Sequence, residues 1–237
     1  MTNLYLIRHG EASGAVHDIV GDTALSPLGI LQAERLRDRL AATGEIAADV
    51  LISSTLVRAR QTAEIIAPAL GLPILFDDEV QELRDGMSEG MHIEEYRARY
   101  GEVNFRETPF NQRVPKGENW GQFVLRAATA LDRIIREYEG KTIVIVCHGG
   151  VIGVSFLYFF GTGSLQYPQA GFDTDNTSIT HWVRRSFRGN PARWRLKCYN
   201  DEMHLRDIQS MERIPWKAIS ATPAEGAEQP IVPLEDE

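Results

Sequence analysis

The sequence predicts an α/β fold: a three-layer α/β/α sandwich around a mainly parallel central sheet. Three observations carry this. Short apolar runs of strand length alternate with stretches whose apolar residues recur every three or four positions. One run, Ile143-Val144-Ile145-Val146, is broken by no polar residue, which suits a strand buried on both faces. Two runs end in His-Gly, at His9-Gly10 and His148-Gly149. Strands that alternate with helices imply a sheet covered on both sides.

The elements follow in chain order. Leu4–Ile7 reads as a buried strand that stops at Arg8-His9-Gly10. Ser26 and Pro27 mark a helix start, as cap and first helical residue. That helix runs to about Ala42, buries Ala33, Leu36 and Leu40, and ends at Gly44. Val50–Ile52 is a second strand, followed by Ser53 and Ser54. The next helix carries Ala59, Thr62, Ala63, Ile66 and Leu70 on one face, and Gly71 and Pro73 stop it. Ile74–Phe76 is a third strand. Residues 77–118 are polar, charged and interrupted by Pro109 and Pro115. A short helix is expected near His92–Tyr100, with loop around it, and the stretch reads as either a lid or a plain surface excursion. Asn119 caps a clear helical stripe of Val124, Ala127, Ala128, Leu131, Ile134, Ile135 and Tyr138, which Gly140 ends. The central strand Thr142–Cys147 leads through His148-Gly149-Gly150 into an apolar helix to about Phe160. Ile179–Val183 and Arg195–Tyr199 read as late strands.

Residues 1–208 read as one domain. Beyond it, 209–237 holds four prolines and six acids against Arg213 and Lys217, half of the chain's net charge of −8. It is expected to be an irregular or disordered acidic tail. The chain of 237 residues is 43% hydrophobic and 24% charged, which is ordinary for a globular protein. No apolar run approaches the roughly 20 residues of a membrane span, and the N-terminus has no secretory pattern. Two cysteines, Cys147 and Cys198, cannot form a disulfide framework. They read as buried free thiols in a reducing, cytoplasmic setting. The negative charge argues against a general nucleic-acid binder, but not against a small anionic substrate.

In open α/β sheets, ligands bind beyond the carboxyl ends of the strands. The two His-Gly strand ends therefore meet at one site. Glycine after each histidine permits a sharp turn and close approach of a ligand. Arg8 adds a cation beside His9, and Arg58 reaches the same rim from the start of its helix. Two arginines and two histidines around one point make a phosphate pocket, because the guanidinium fork matches phosphate oxygens. A neutral imidazole is a competent nucleophile toward phosphorus, and nearby arginines favour the neutral form. A catalytic zinc wants about three protein ligands, and the arginines repel a cation, so no metal and no cofactor is expected.

These residues sit in a series of motifs. Leu4-Tyr5-Leu6-Ile7-Arg8-His9-Gly10-Glu11 resembles the signature of the histidine phosphatase superfamily, branch 1, with its phosphoglycerate-mutase-like fold. Leu25-Ser26-Pro27-Leu28-Gly29, the block Ser53–Ala63 with Arg58, Glu82 with Gly86 and Glu89-Gly90, Pro115-Lys116-Gly117-Glu118, Val146–Gly150, and Asn200-Asp201 with His204-Leu205 follow in the family's order. The resemblance spans about residues 3–208. It implies that His9 becomes a phosphohistidine and that Arg8, Arg58 and His148 hold the phosphoryl group. Gly10, Glu11 and Gly149 would border the substrate. Glu82 would serve as general acid and then base, with Glu11, Asp85 and Glu89 as local competitors for that role. Two positions depart from the pattern: Ala12 stands where serine is common and Ala15 where asparagine often follows, with Ser13 as the nearest substitute.

The expected reaction is hydrolysis of a small phosphorylated metabolite. A phosphomutase is the main alternative, and a binding module that has lost turnover is the second. Specificity is expected in 84–118, where Arg97, Arg99, Arg106, Arg113 and Lys116 could meet a second anionic group. The late cluster Arg184, Arg185, Arg188, Arg193 and Arg195 reads as a solvated strand pair. No nucleic-acid or membrane partner is expected, and monomer and homodimer both stay open.

Overall fold

Strand register is what builds the site. In the computed structural model, which describes residues 1–101, 104–162 and 165–206, six strands form one sheet in the order β3-β2-β4-β1-β5-β6. These are β1 (Thr2–Arg8), β2 (Val50–Ser54), β3 (Ile74–Asp77), β4 (Thr142–Cys147), β5 (Ile179–Phe187) and β6 (Asn190–Asp201). The first four are mutually parallel, and β5 and β6 add an antiparallel hairpin at one edge. Arg8 of β1 lies opposite Cys147 of β4. The next residue on each strand is a histidine, and the His9 N–H donates to the Cys147 carbonyl at 3.0 Å.

The unbroken apolar run of β4 feeds two cores. Ile143 and Ile145 face one, with Leu4, Leu6 and Ile52 from the neighbouring strands. Val144 and Val146 face the other, with Ile7 and Leu51. This is the period-two alternation of a strand covered on both sides. Helices α5 (Trp120–Glu137) and α6 (Gly149–Phe160) cover the first face through Phe123, Ala127, Leu131, Ile134, Val151 and Ile152. Helices α2 (Pro27–Thr43) and α3 (Val57–Leu70) cover the second through Leu36, Leu40, Ala59, Ala63 and Ile66. Each large apolar side chain so buried contributes about 1.5–3 kcal/mol.

The caps match their sequence signals. The Ser26 hydroxyl accepts from Gly29 N–H at 3.0 Å, and Gly44 ends α2 in the left-handed region. Asn119 and Gln122 form a reciprocal capping box at α5. Helix α4 (Ile93–Tyr100) begins one residue later than expected, because His92 is its cap.

Several expectations need correction. A five-residue helix α1 (Ser13–His17) was not legible, being too short to show an apolar period. The late strands are longer than Ile179–Val183 and Arg195–Tyr199. They meet at a tight two-residue turn in which Arg188 and Gly189 both have positive φ, the geometry of a hairpin turn. Their outer halves are largely polar and exposed, so no apolar alternation betrays them. Cys147 is buried as expected, but Cys198 is only partly so. The acidic tail expected over 209–237 lies outside the described residues. No helix among the described residues is long and apolar enough to cross a membrane.

Candidate active site

His9 leaves the end of β1 almost buried, 7% exposed. Its Nδ1 lies 2.6 Å from the Gly10 carbonyl oxygen and its Nε2 lies 3.1 Å from Arg58 Nε. A carbonyl can only accept, and a guanidinium can only donate. Both contacts are satisfied at once by the Nδ1–H tautomer, which leaves the Nε2 lone pair facing Arg58. Burial, then the Arg58 charge, push the His9 pKa down to about 3. The ring is therefore neutral at any physiological pH.

His148 leaves β4 as the N-cap of α6 and is fully buried, its ring centroid 5.0 Å from that of His9. Its Nε2 lies 2.8 Å from the Ser54 hydroxyl. That hydroxyl already accepts from Leu56 N–H at 3.3 Å. Donating its own hydrogen to Nε2 gives that hydrogen an acceptor and makes His148 an Nδ1–H tautomer. Burial first, and then His9 and the arginines, hold His148 well below its ordinary pKa. Its Nδ1 has no partner among the described residues, and neither has the buried Nε of Arg8. Arg8 is otherwise tied to the Thr174 carbonyl. Arg58, 8% exposed, donates to the Gly21 carbonyl at 3.1 Å and pairs with Asp22 at 3.3 Å. Asp22 also caps α3 by accepting from Val57 N–H.

Glu82 reaches this cluster from the segment after β3. Its Oε2 accepts from Gly150 N–H at 2.9 Å, in the first turn of α6. A Cβ on Gly150 would lie 2.2 Å from Glu82 Oε1, so glycine is what admits the carboxylate. Glu82 and Arg58 line one cleft of about 180 Å³ with Asp22, Arg84, Asp85 and Lys116.

Other expected residues are placed differently. Glu11 turns away: its carboxylate takes the Ser26 hydroxyl at 2.6 Å and its N–H goes to Gln32. It braces the start of α2. Gly10 donates its N–H to Thr62, and a Cβ there would lie 2.4 Å from the Gly29 carbonyl oxygen. Its close approach is to α2. Gly149 does face the cluster, since a Cβ there would meet the Thr174 hydroxyl at 3.1 Å and Arg8 Nε at 3.8 Å. Among the competitors of Glu82, Glu89 is bound to Asp22 N–H at 2.6 Å. Asp85 lines the cleft, and burial pushes it up to about 6. Ser13 spends its N–H on the Ala24 carbonyl.

The stretch 84–118 is anchored at several points. Gly90 N–H donates to Val20, Val20 N–H to Met91 and Ile93 N–H to Asp18. Of its cations, Lys116 borders the cleft and Arg113 lines a narrow adjoining crevice with Asp85 and Tyr96. Arg97, Arg99 and Arg106 are exposed. Sequence reasoning missed the supporting residues: Ser54, Asp22, Thr62, and Asn176, which donates to the His9 carbonyl at 3.0 Å. Only Ser53-Ser54 left a signal, as two polar residues closing an apolar strand.

Residues 4–202 match the family described as the histidine phosphatase superfamily (branch 1). The chain is 35% identical over 225 residues to a protein of Yersinia pestis (strain Pestoides F) named "Probable phosphoglycerate mutase GpmB", covering 90% of this chain and 99% of that one. Among solved structures it is similar to a phosphoserine phosphatase mutant from Entamoeba histolytica in complex with phosphoserine. There the identity is 27% and the TM-score 0.66, over 86% of this chain and 100% of that one. It is also similar to a mycobacterial glucosyl-3-phosphoglycerate phosphatase complexed with VO3, 25% identical with a TM-score of 0.67, over 84% and 98% of the two chains.

Proposed function

The chain belongs to the histidine phosphatase superfamily, branch 1, and from that premise we propose that it hydrolyses a small phosphomonoester through a phosphohistidine on His9. One observation carries the reading. Two buried donors without partners among the described residues, Arg8 Nε and His148 Nδ1, stand with the lone pair of His9 Nε2 at the ends of adjacent strands. A buried unsatisfied donor costs about 1–3 kcal/mol. Phosphoryl oxygens satisfy such donors, and in the transition state they carry the charge that Arg8, Arg58 and His148 stabilise.

The steps balance as follows. His9 Nε2 attacks phosphorus, a P–N bond forms and the ester P–O bond breaks. The leaving oxygen takes the proton of the Glu82 carboxyl group. Glu82, now a carboxylate, removes a proton from water as its oxygen attacks phosphorus. The P–N bond breaks, its electron pair returns to His9, and Glu82 is protonated again. Two smaller barriers replace one large one.

A second reading has its own support in the name of the Yersinia relative: a mutase, in which an acceptor hydroxyl replaces water in the second half. One assay separates the two. Phosphate release from phosphoserine, phosphoglycerates, sugar phosphates and nucleotides is compared with interconversion of 2- and 3-phosphoglycerate. Hydrolysis is expected to dominate, and fast interconversion with little release overturns the proposal. An acid-labile phosphoenzyme is expected on the wild type and absent from His9→Ala.

A further inference from the structure

Arg126 lies in the middle of α5, in neither strand end and outside the phosphate cluster, yet its side chain is only 7% exposed. All five of its N–H donors are used. Nε and Nη2 grip the two oxygens of Glu118 at 2.7 and 2.6 Å. Nη1 donates to the carbonyls of Glu79 at 2.8 Å and Gln81 at 3.1 Å, and Nη2 to that of Glu82 at 3.1 Å. The carbonyls of Gln81 and Glu82 belong to the two peptide groups that flank the Glu82 Cα. Fixing both fixes the direction in which the Glu82 side chain leaves the backbone. Glu118 completes the clamp by accepting from Arg84 N–H at 3.1 Å, while its own N–H donates to the Arg84 carbonyl. The guanidinium also lies 5.3 Å from the centroid of the Phe123 ring, which packs against Gly150, the residue whose N–H holds the Glu82 carboxylate. One cation thus ties the backbone of Glu82 to the helix pair that receives its carboxylate.

We infer that Arg126, held by Glu118, is a positioning residue that aims Glu82 at the leaving oxygen. The inference rests on the reading of Glu82 as general acid. A misplacement of about 1 Å can cost on the order of 100-fold in rate, and lysine cannot replace a fork that serves five acceptors at once.

The test measures His9 phosphorylation by rapid quench with phenyl phosphate and with p-nitrophenyl phosphate, whose more acidic phenol leaves without a proton donor. Arg126→Lys is expected to slow the phenyl ester roughly tenfold and the p-nitrophenyl ester less than about twofold. On a Glu82→Gln background it is expected to add less than about twofold, because the group it aims is gone. Glu118→Gln carries the same comparison with a smaller change in packing, and circular dichroism gives the folded fraction of each variant. Equal slowing of both esters, or the full tenfold loss on the Glu82→Gln background, assigns Arg126 a structural role only and overturns the inference. If Glu82→Gln alone leaves the phenyl ester unaffected, the general-acid reading falls first and the inference with it.

Discussion

The ends of the parallel strands and the segment 77–118 come together where Glu82 meets the start of α6, but they hold their charged groups by opposite means. At the strand ends His9 and His148 each sit one residue beyond a fully paired strand, and the register of β1 against β4 brings the two histidines together. In the facing segment, Glu82 hangs from irregular backbone whose carbonyls are gathered by one guanidinium. On the proposed function, the strand ends would meet the phosphoryl group, which every substrate shares. The facing segment would meet the leaving group, which differs between substrates. A rigid half suits the constant part of the substrate, and a half built from local clamps can change with the variable part.

That contrast can be broken at Gly10. A Cβ there would lie 2.4 Å from the backbone oxygen of Gly29, so α2 or the His9 loop must shift. Gly10→Ala is expected to lower phosphorylation of His9 by about 100-fold for every ester, with no dependence on the leaving group. A loss that varied with the leaving group would dissolve the division between the two halves.

Acid titration sharpens the contrast, since the two halves carry opposite signs. His9 has a folded pKa of about 3, and His148 is also held well below its ordinary value. In the unfolded chain both titrate near 6.5. As pH falls below about 6.5 the unfolded chain gains protons that the folded one does not. Stability is therefore lost, by about 1.4 kcal/mol per pH unit for each histidine, until the folded values are reached. Asp85, raised to about 6, behaves in reverse: the folded state binds its proton first, so this residue adds stability as pH falls from about 6 toward 4. Denaturant midpoints at pH 7, 6 and 5 should show a net loss. Asp85→Asn should steepen that loss, and His148→Gln should shallow it. A pH-independent midpoint would contradict the buried, neutral histidines.

The smallest expected effect is at Ser54. Removing its hydroxyl leaves His148 Nε2 without its donor and frees the ring to take the other tautomer. Ser54→Ala is expected to lower kcat about tenfold and, because it leaves a buried acceptor unsatisfied, to lower the unfolding midpoint by an amount equivalent to about 1–3 kcal/mol. An unchanged kcat would show that the tautomer is set elsewhere.

The same division marks what could be read from the sequence. Regular strands and helices have periods, so Leu4–Ile7, Ile143–Val146 and the α5 stripe announced themselves, and with them the meeting of His9 and His148. Arg58 and Glu82 came from motif order as much as from periodicity. What stayed hidden acts through backbone atoms. Arg126 shows only as a polar interruption of an apolar stripe, because its partners are carbonyls that carry no sequence. Glu11 follows the histidine motif, and its side chain serves the Ser26 cap, a role the motif alone does not show. At Gly10 the missing side chain makes room for α2, a packing reason that the motif alone does not reveal.

The hydrogen bond from Gly150 N–H to the Glu82 carboxylate has a bearing on affinity. In the free protein the Glu82 carboxyl group already occupies the first turn of α6, where any external anion would otherwise settle. A phosphate oxygen seeking that N–H competes with a tethered acceptor. On the proposed function, that competition weakens the hold on ester and on released phosphate alike.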